Sequence, residues 1–72
     1  MPRLYSSRHI VSVLRENGFL FVSQRGSHMK FRKPGLPHLV VIVPARRREI
    51  PFGTFKSILR QSQLQPEDFV KR

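Results

Sequence analysis

The sequence predicts an α+β domain ordered α-β-β-β-α with a short helix at the end, and three observations carry that expectation. Two apolar stripes, Ile10/Val13/Leu14 and Phe55/Ile58/Leu59, repeat at i, i+3, i+4 and mark a helix near each end of the chain. Between them lie three short runs with the composition or the alternation of strands. Turn residues rich in Gly, Pro and Ser separate those runs. Three antiparallel strands with the helices packed on one face satisfy this pattern. At 72 residues the chain is one domain over 1–72, close to the size limit for folding unaided. Its 39% hydrophobic content, with six Phe and one Tyr, is enough for a compact core and argues against a disordered tail.

In chain order, Tyr5-Ser6-Ser7 offers a hydroxyl N-cap for the first helix, and Asn17-Gly18 closes it, with Gly18 suited to a left-handed C′ position. Residues 19–24 are aromatic and β-branched and form the first strand. Arg25-Gly26-Ser27 is a turn. Residues 28–33 alternate strictly, placing Met29 and Phe31 under the helices and His28, Lys30 and Arg32 on the opposite face. Pro34-Gly35-Leu36-Pro37 makes the next turn. Residues 38–43 have almost no polar relief, as expected of a central or well-covered strand. A loop over 45–51 carries Arg46-Arg47-Arg48, and Gly53-Thr54 is expected to cap the second helix. Pro66, with Glu67 and Asp68 behind it, looks like the start of a short helix, the proline at N1 and the acids where the helix dipole favours them.

Charge narrows the function. Fourteen Lys and Arg against four Asp and Glu give a formal net charge of +10, far from the mixed surface of an ordinary small domain. A phosphate backbone or a strongly acidic protein is the natural counter-surface. A membrane is the weaker choice, because no basic amphipathic helix with a broad apolar face is present. The longest apolar run, 39–43, is too short to span a bilayer. The Met-Pro-Arg start shows no signal-peptide hydrophobic region, so a cytoplasmic location is expected. The absence of Cys removes disulfides, thiolate chemistry and Cys-based zinc sites. His9, His28 and His38 fall in separate elements without metal-ligand spacing, so neither a metal nor any other cofactor is expected.

Several fragments, in this order and spacing, carry a family resemblance: Asn17-Gly18-Phe19, Gln24-Arg25-Gly26-Ser27-His28, Val43-Pro44, Gly53-Thr54 and Ile58-Leu59-Arg60-Gln61. From Ser6 to Phe69 the chain resembles the HicA toxins of toxin–antitoxin pairs. The resemblance implies a double-stranded-RNA-binding-domain-like fold and an mRNA-cleaving endoribonuclease with a catalytic His at His28. It also implies a cognate HicB-like antitoxin, whose contact surface should be acidic given the charge of +10. The toxin by itself is expected to be a monomer. One departure is visible. Many members carry a second His two residues after the Pro that ends the third strand, and here that position is Arg46, which puts a two-histidine mechanism in doubt.

The residues support this chemistry on their own terms. RNA can be cut without metal when a base takes the 2′-hydroxyl proton and cations offset the charge on phosphorus. Imidazole suits the task because it exchanges a proton near neutral pH. His28 is thus the candidate catalytic residue, although most lone strand histidines have no task. Gly26 is expected to let a backbone come close, Ser27 to orient the imidazole or a phosphate, and Lys30 to support the charge. Arg25, Arg32, Arg46, Arg47 and Arg48 are candidate RNA contacts, the last three equally readable as a solvated loop. Thr54 and Lys56 are further candidates at the start of the second helix, although Gly53-Thr54 is first of all a cap. No task is expected for His9 or His38. Two other readings stay open, a non-catalytic RNA-binding module and a basic face that only docks an acidic partner.

Overall fold

A computed structural model describes residues 4–70. The elements follow the expected order: α1 (Ser7–Glu16), β1 (Leu20–Arg25), β2 (His28–Lys33), β3 (Leu39–Pro44), α2 (Phe52–Ser62) and a 3₁₀ turn, η1 (Pro66–Phe69). The strands form one antiparallel sheet in the order β1-β2-β3.

α1 begins where the Ser6 hydroxyl accepts the His9 N–H at 3.1 Å, an ordinary N-cap. It ends in a Schellman motif: Phe19 N–H donates to the Leu14 carbonyl and Gly18 N–H to that of Arg15, with Gly18 at φ +92°. That turn delivers Phe19 into the core directly beside Leu14. Ile10, Val13 and Leu14 from α1 meet Phe31 of β2, Val41 and Val43 of β3, and Phe55 and Ile58 of α2 in a single cluster. Both helices therefore cover the same face of the sheet.

Of the two arrangements open to its apolar run, β3 takes the second: it is not the central strand but a well-covered one at the edge, with the charged β2 in the middle. The apolar run of β3 is explained by α2, which buries Val41 and Val43 fully and covers the free edge as well. There the Gln61 side-chain oxygen accepts the Ile42 N–H at 2.9 Å. One expectation is corrected: Gly53 and Thr54 do not cap α2. The cap position is Pro51, which makes no side-chain cap bond, and Gly53 and Thr54 lie inside the first turn. The proline fixes φ at −56°, and Ile50 is anchored ahead of it, fully buried with its N–H on the Tyr5 carbonyl, so the chain turns helical at once.

The C-terminal turn does more than its length suggests. Phe69 is wholly buried, edge-on to Phe55 with centroids 5.1 Å apart, and Tyr5 packs against both rings. His9 Nε2 donates to the Phe69 carbonyl at 2.6 Å while its ring lies against Tyr5, so His9 is a fastener between α1 and η1. β1 is the opposite case. All six of its residues are exposed, because the helices sit over β2 and β3 and leave the outer strand bare. A bulge between Phe21 and Ser23 interrupts its pairing, one of the devices that keep a bare edge from pairing with other chains.

Candidate functional site

β1 and β2 are joined by a two-residue loop, Gly26-Ser27, so that Arg25 and His28 are direct cross-strand partners. Gly26 takes φ +58° at the first loop position, where a tight hairpin turn wants glycine. A Cβ there would meet nothing within 4 Å. The glycine thus serves the backbone angle, and the space beside it is open. The Ser27 carbonyl accepts the Ala45 N–H at 2.7 Å, tying the hairpin tip to the end of β3.

Side chains opposite one another in an antiparallel pair share a face. Arg25, His28, Lys30 and Arg32 accordingly lie together on the helix-free face, all exposed. Across β3 their partners are Pro44, Ile42 and Val40. Lys30 and Arg32 border a shallow hollow of about 590 Å³ with Leu20, Val22, His38 and Val40. The expected split between His28/Lys30/Arg32 and Met29/Phe31 is what the strand shows: Phe31 is buried and Met29 half-buried on the other side.

A second concavity lies at the hairpin-tip end of the sheet and on the helical side. This cleft, about 780 Å³, is walled by Arg46, Arg47 and Arg48 and by Ser6, Ser7 and Arg8 at the start of α1. Val11, Met29 and Ala45 supply apolar surface, and Gln24 borders it from β1. Ser7 builds this wall. It is 4% exposed; its hydroxyl donates to the Pro44 carbonyl at 2.6 Å and accepts the Arg47 N–H at 2.9 Å, and its own N–H donates to the Arg47 carbonyl. Arg46, between those anchors, has φ +57°, a left-handed conformation that is uncommon away from glycine and tends to occur at functional sites. A smaller hollow of about 330 Å³, lined by Gly26, Ser27, Ala45 and Arg46, adjoins the cleft through the last two residues.

The cleft, the smaller hollow and the hairpin tip thus gather Arg25, Gly26, Ser27, His28 and the three loop arginines at one end of the sheet, while Lys30 and Arg32 continue from His28 along the helix-free face toward the other end. Thr54 and Lys56 are not among the residues lining these hollows. Thr54 is half-buried in the first turn of α2, and Lys56 Nζ sits 5.8 Å from the Phe52 ring centroid. None of the four acidic residues, Glu16, Glu49, Glu67 and Asp68, lines any of the three. Cations without interleaved carboxylates make a standing attraction for a polyanion. Among the described residues no three His, Cys, Asp or Glu side chains group as metal ligands, and no helix is long and apolar enough to cross a membrane.

Against this geometry stands one comparison. Residues 7–64 match the family model of the HicA toxin of bacterial toxin–antitoxin systems. The chain belongs to the HicA toxin family. Among curated proteins none matches it. Membership makes the chain a toxin component, and it implies a cognate antitoxin as its partner. The matched span runs from Ser7, which braces the arginine loop, to Leu64 just past α2, so it includes every residue of the hairpin and the cleft except Ser6.

Three participants in this HicA cleft escaped sequence reasoning: Ser7, Arg8 and Gln24. The helix terminus that lines the basic cleft is that of α1. The only signal for it was Ser7-Arg8 standing beside the N-cap, and nothing in the local pattern says that a loop almost forty residues later folds back onto that cap.

Proposed function

We propose that this HicA family member is an endoribonuclease that cuts mRNA at the hairpin tip, with His28 as the proton-transfer group. The observation that carries this reading is the cross-strand pairing of His28 with Arg25 beside open space at Gly26, with Lys30 next on the same face. Imidazole can take the 2′-hydroxyl proton as that oxygen attacks the adjacent phosphorus, and return it to the departing 5′-oxygen. The P–O5′ bond breaks as the P–O2′ bond forms, leaving a 2′,3′-cyclic phosphodiester and a 5′-hydroxyl. Arg25 and Lys30 offset the charge that builds on the phosphoryl oxygens. Ser27 stands at the tip to orient the imidazole or a phosphate. Arg32 and the Arg46, Arg47 and Arg48 loop hold the flanking backbone; Thr54 and Lys56 would meet only RNA long enough to run on toward α2. One histidine suffices in this scheme, as it must where Arg46 occupies the place of a second.

Incubation of the purified protein with end-labelled single-stranded RNA in EDTA tests the proposal. Cleavage by the parental chain and none by His28→Ala, with RNA binding retained, is the expected result. His28 is exposed, so its loss should move stability by no more than about 0.5 kcal/mol. Cleavage by His28→Ala at the parental rate would remove the histidine from the reaction. Binding without cleavage by the parental chain would make the domain an RNA-binding module.

A further inference from the structure

The cleft under the arginine loop has chemistry that phosphate binding alone does not use. Arg8 and Arg46 suit a phosphate, but the surface between them is apolar, made by half-buried Val11 and Met29 and buried Ala45. A site for a bare anion has no need of that floor, and a site for an apolar ligand has no need of four arginines. Gln24 adds a directional group. Its Nε2 donates to the Gly26 carbonyl at 3.0 Å, which fixes the amide plane, because only the nitrogen can serve that acceptor. The Oε1 atom is left as an acceptor at the cleft's border. The volume, about 780 Å³, falls within the range of small-molecule sites.

We propose that this cleft is a nucleotide subsite, holding one nucleotide of RNA whose base carries an exocyclic amino group. The base lies over Met29 and Val11, its amino group donates to Gln24 Oε1, and its phosphate rests between Arg8 and Arg46. Adenine, cytosine and guanine carry such an amine. Uracil presents carbonyl oxygens there and would set acceptor against acceptor. The proposal rests on the nuclease reading in one respect: because the cleft continues through Ala45 and Arg46 to the Gly26-Ser27 hollow, the nucleotide it holds is a near neighbour of the one cut beside His28. The subsite would then bias where the enzyme cuts, a role that the exposed Lys30/Arg32 face is poorly shaped to play.

Titration of the intact protein with AMP, CMP, GMP, UMP and inorganic phosphate, followed by NMR, separates this from other outcomes. Saturable shifts are expected at the Gln24 side-chain amide and the Met29 methyl, with UMP binding weaker by about 2- to 10-fold, the worth of one neutral hydrogen bond. Gln24→Leu should abolish the discrimination against UMP while phosphate still perturbs the arginines. Equal affinity for AMP and phosphate, with Met29 silent, would overturn the proposal, as would an unchanged base preference in Gln24→Leu. Mononucleotide binding does not depend on cleavage, so the two readings fail separately. A parental chain that cuts RNA while nucleotides leave Gln24 and Met29 untouched would sink the subsite alone. Nucleotides seated in the cleft of a chain that cuts nothing would sink the nuclease alone.

Discussion

Ser7 and Arg47 hold each other through reciprocal hydrogen bonds, Ser7 N–H to the Arg47 carbonyl and Arg47 N–H to Ser7 Oγ, both 2.9 Å. The same hydroxyl donates to the Pro44 carbonyl. One buried side chain on the first turn of α1 therefore fixes both the end of β3 and the loop that carries three arginines. The loop's cations are placed by the backbone, and their side chains stay free in solvent to meet a ligand.

Ser7→Ala should expose this dependence. It leaves the Arg47 N–H and the Pro44 carbonyl without their partner, at a cost of about 1–3 kcal/mol. A lower urea midpoint is expected, together with weaker RNA binding measured where the variant is still folded. Ser12→Ala, an exposed change on the same helix, should leave both unchanged. Parental affinity in folded Ser7→Ala would mean that the loop needs no brace to bind.

Phe69→Ala tests the C-terminal turn. Truncating a fully buried phenylalanine costs about 3–5 kcal/mol, a large share of what a small domain possesses. The variant is expected to be largely unfolded at 37 °C by circular dichroism. A melting temperature within a few degrees of the parent would show that η1 is an ornament on a core complete without it.

What the sequence made legible, and what it did not, follows the range of the interactions. β2 begins and ends at the residues its alternation marks, 28 and 33, and α1 starts behind the expected serine, because strand alternation and N-caps act within a few residues. The place of β3 in the sheet stayed open between central and well-covered because an apolar run reports only that a strand is covered. Coverage by α2, down to Gln61 on the strand edge, looks the same in sequence as coverage by neighbouring strands. The face bearing His28, Lys30 and Arg32 was readable from a period of two. The cleft was not, since it is made by pairs such as Ser7 with Arg47 and Arg8 with Gln24, which only tertiary folding brings together.

The arginine loop makes a prediction about salt. Phosphate contacts hold RNA in place without reading bases, and each one lost should flatten the dependence of log affinity on log salt by about 0.7 on a single strand. Replacing Arg46, Arg47 and Arg48 by Gln is expected to weaken binding at low salt and to reduce the slope by up to about 2 in all, three such contacts. A slope equal to that of the parent, measured by fluorescence anisotropy from low to physiological salt, would make the loop a solvated one.

The last prediction concerns control by the antitoxin that family membership implies. A nuclease whose histidine lies on an exposed face is active unless something covers it, and the described fold is too small to offer a separate regulatory surface far from that face. Direct cover is therefore the economical mechanism. Arg25, His28, Lys30 and Arg32 form a row flanked by Leu20, Val22 and Ile42, exposed apolar side chains that a protein partner can bury alongside the charges. An antitoxin surface that matches the row should be acidic, and its association with the toxin should slow as salt screens the attraction. Hydrogen exchange on the complex tests the geometry. Protection is expected across residues 25–32 and along the exposed β1 strand, while the buried centre of α2 gains little. If protection is confined to the two helices and the hairpin exchanges as fast as in the free toxin, the antitoxin acts from the helical side by holding the domain in an inactive shape.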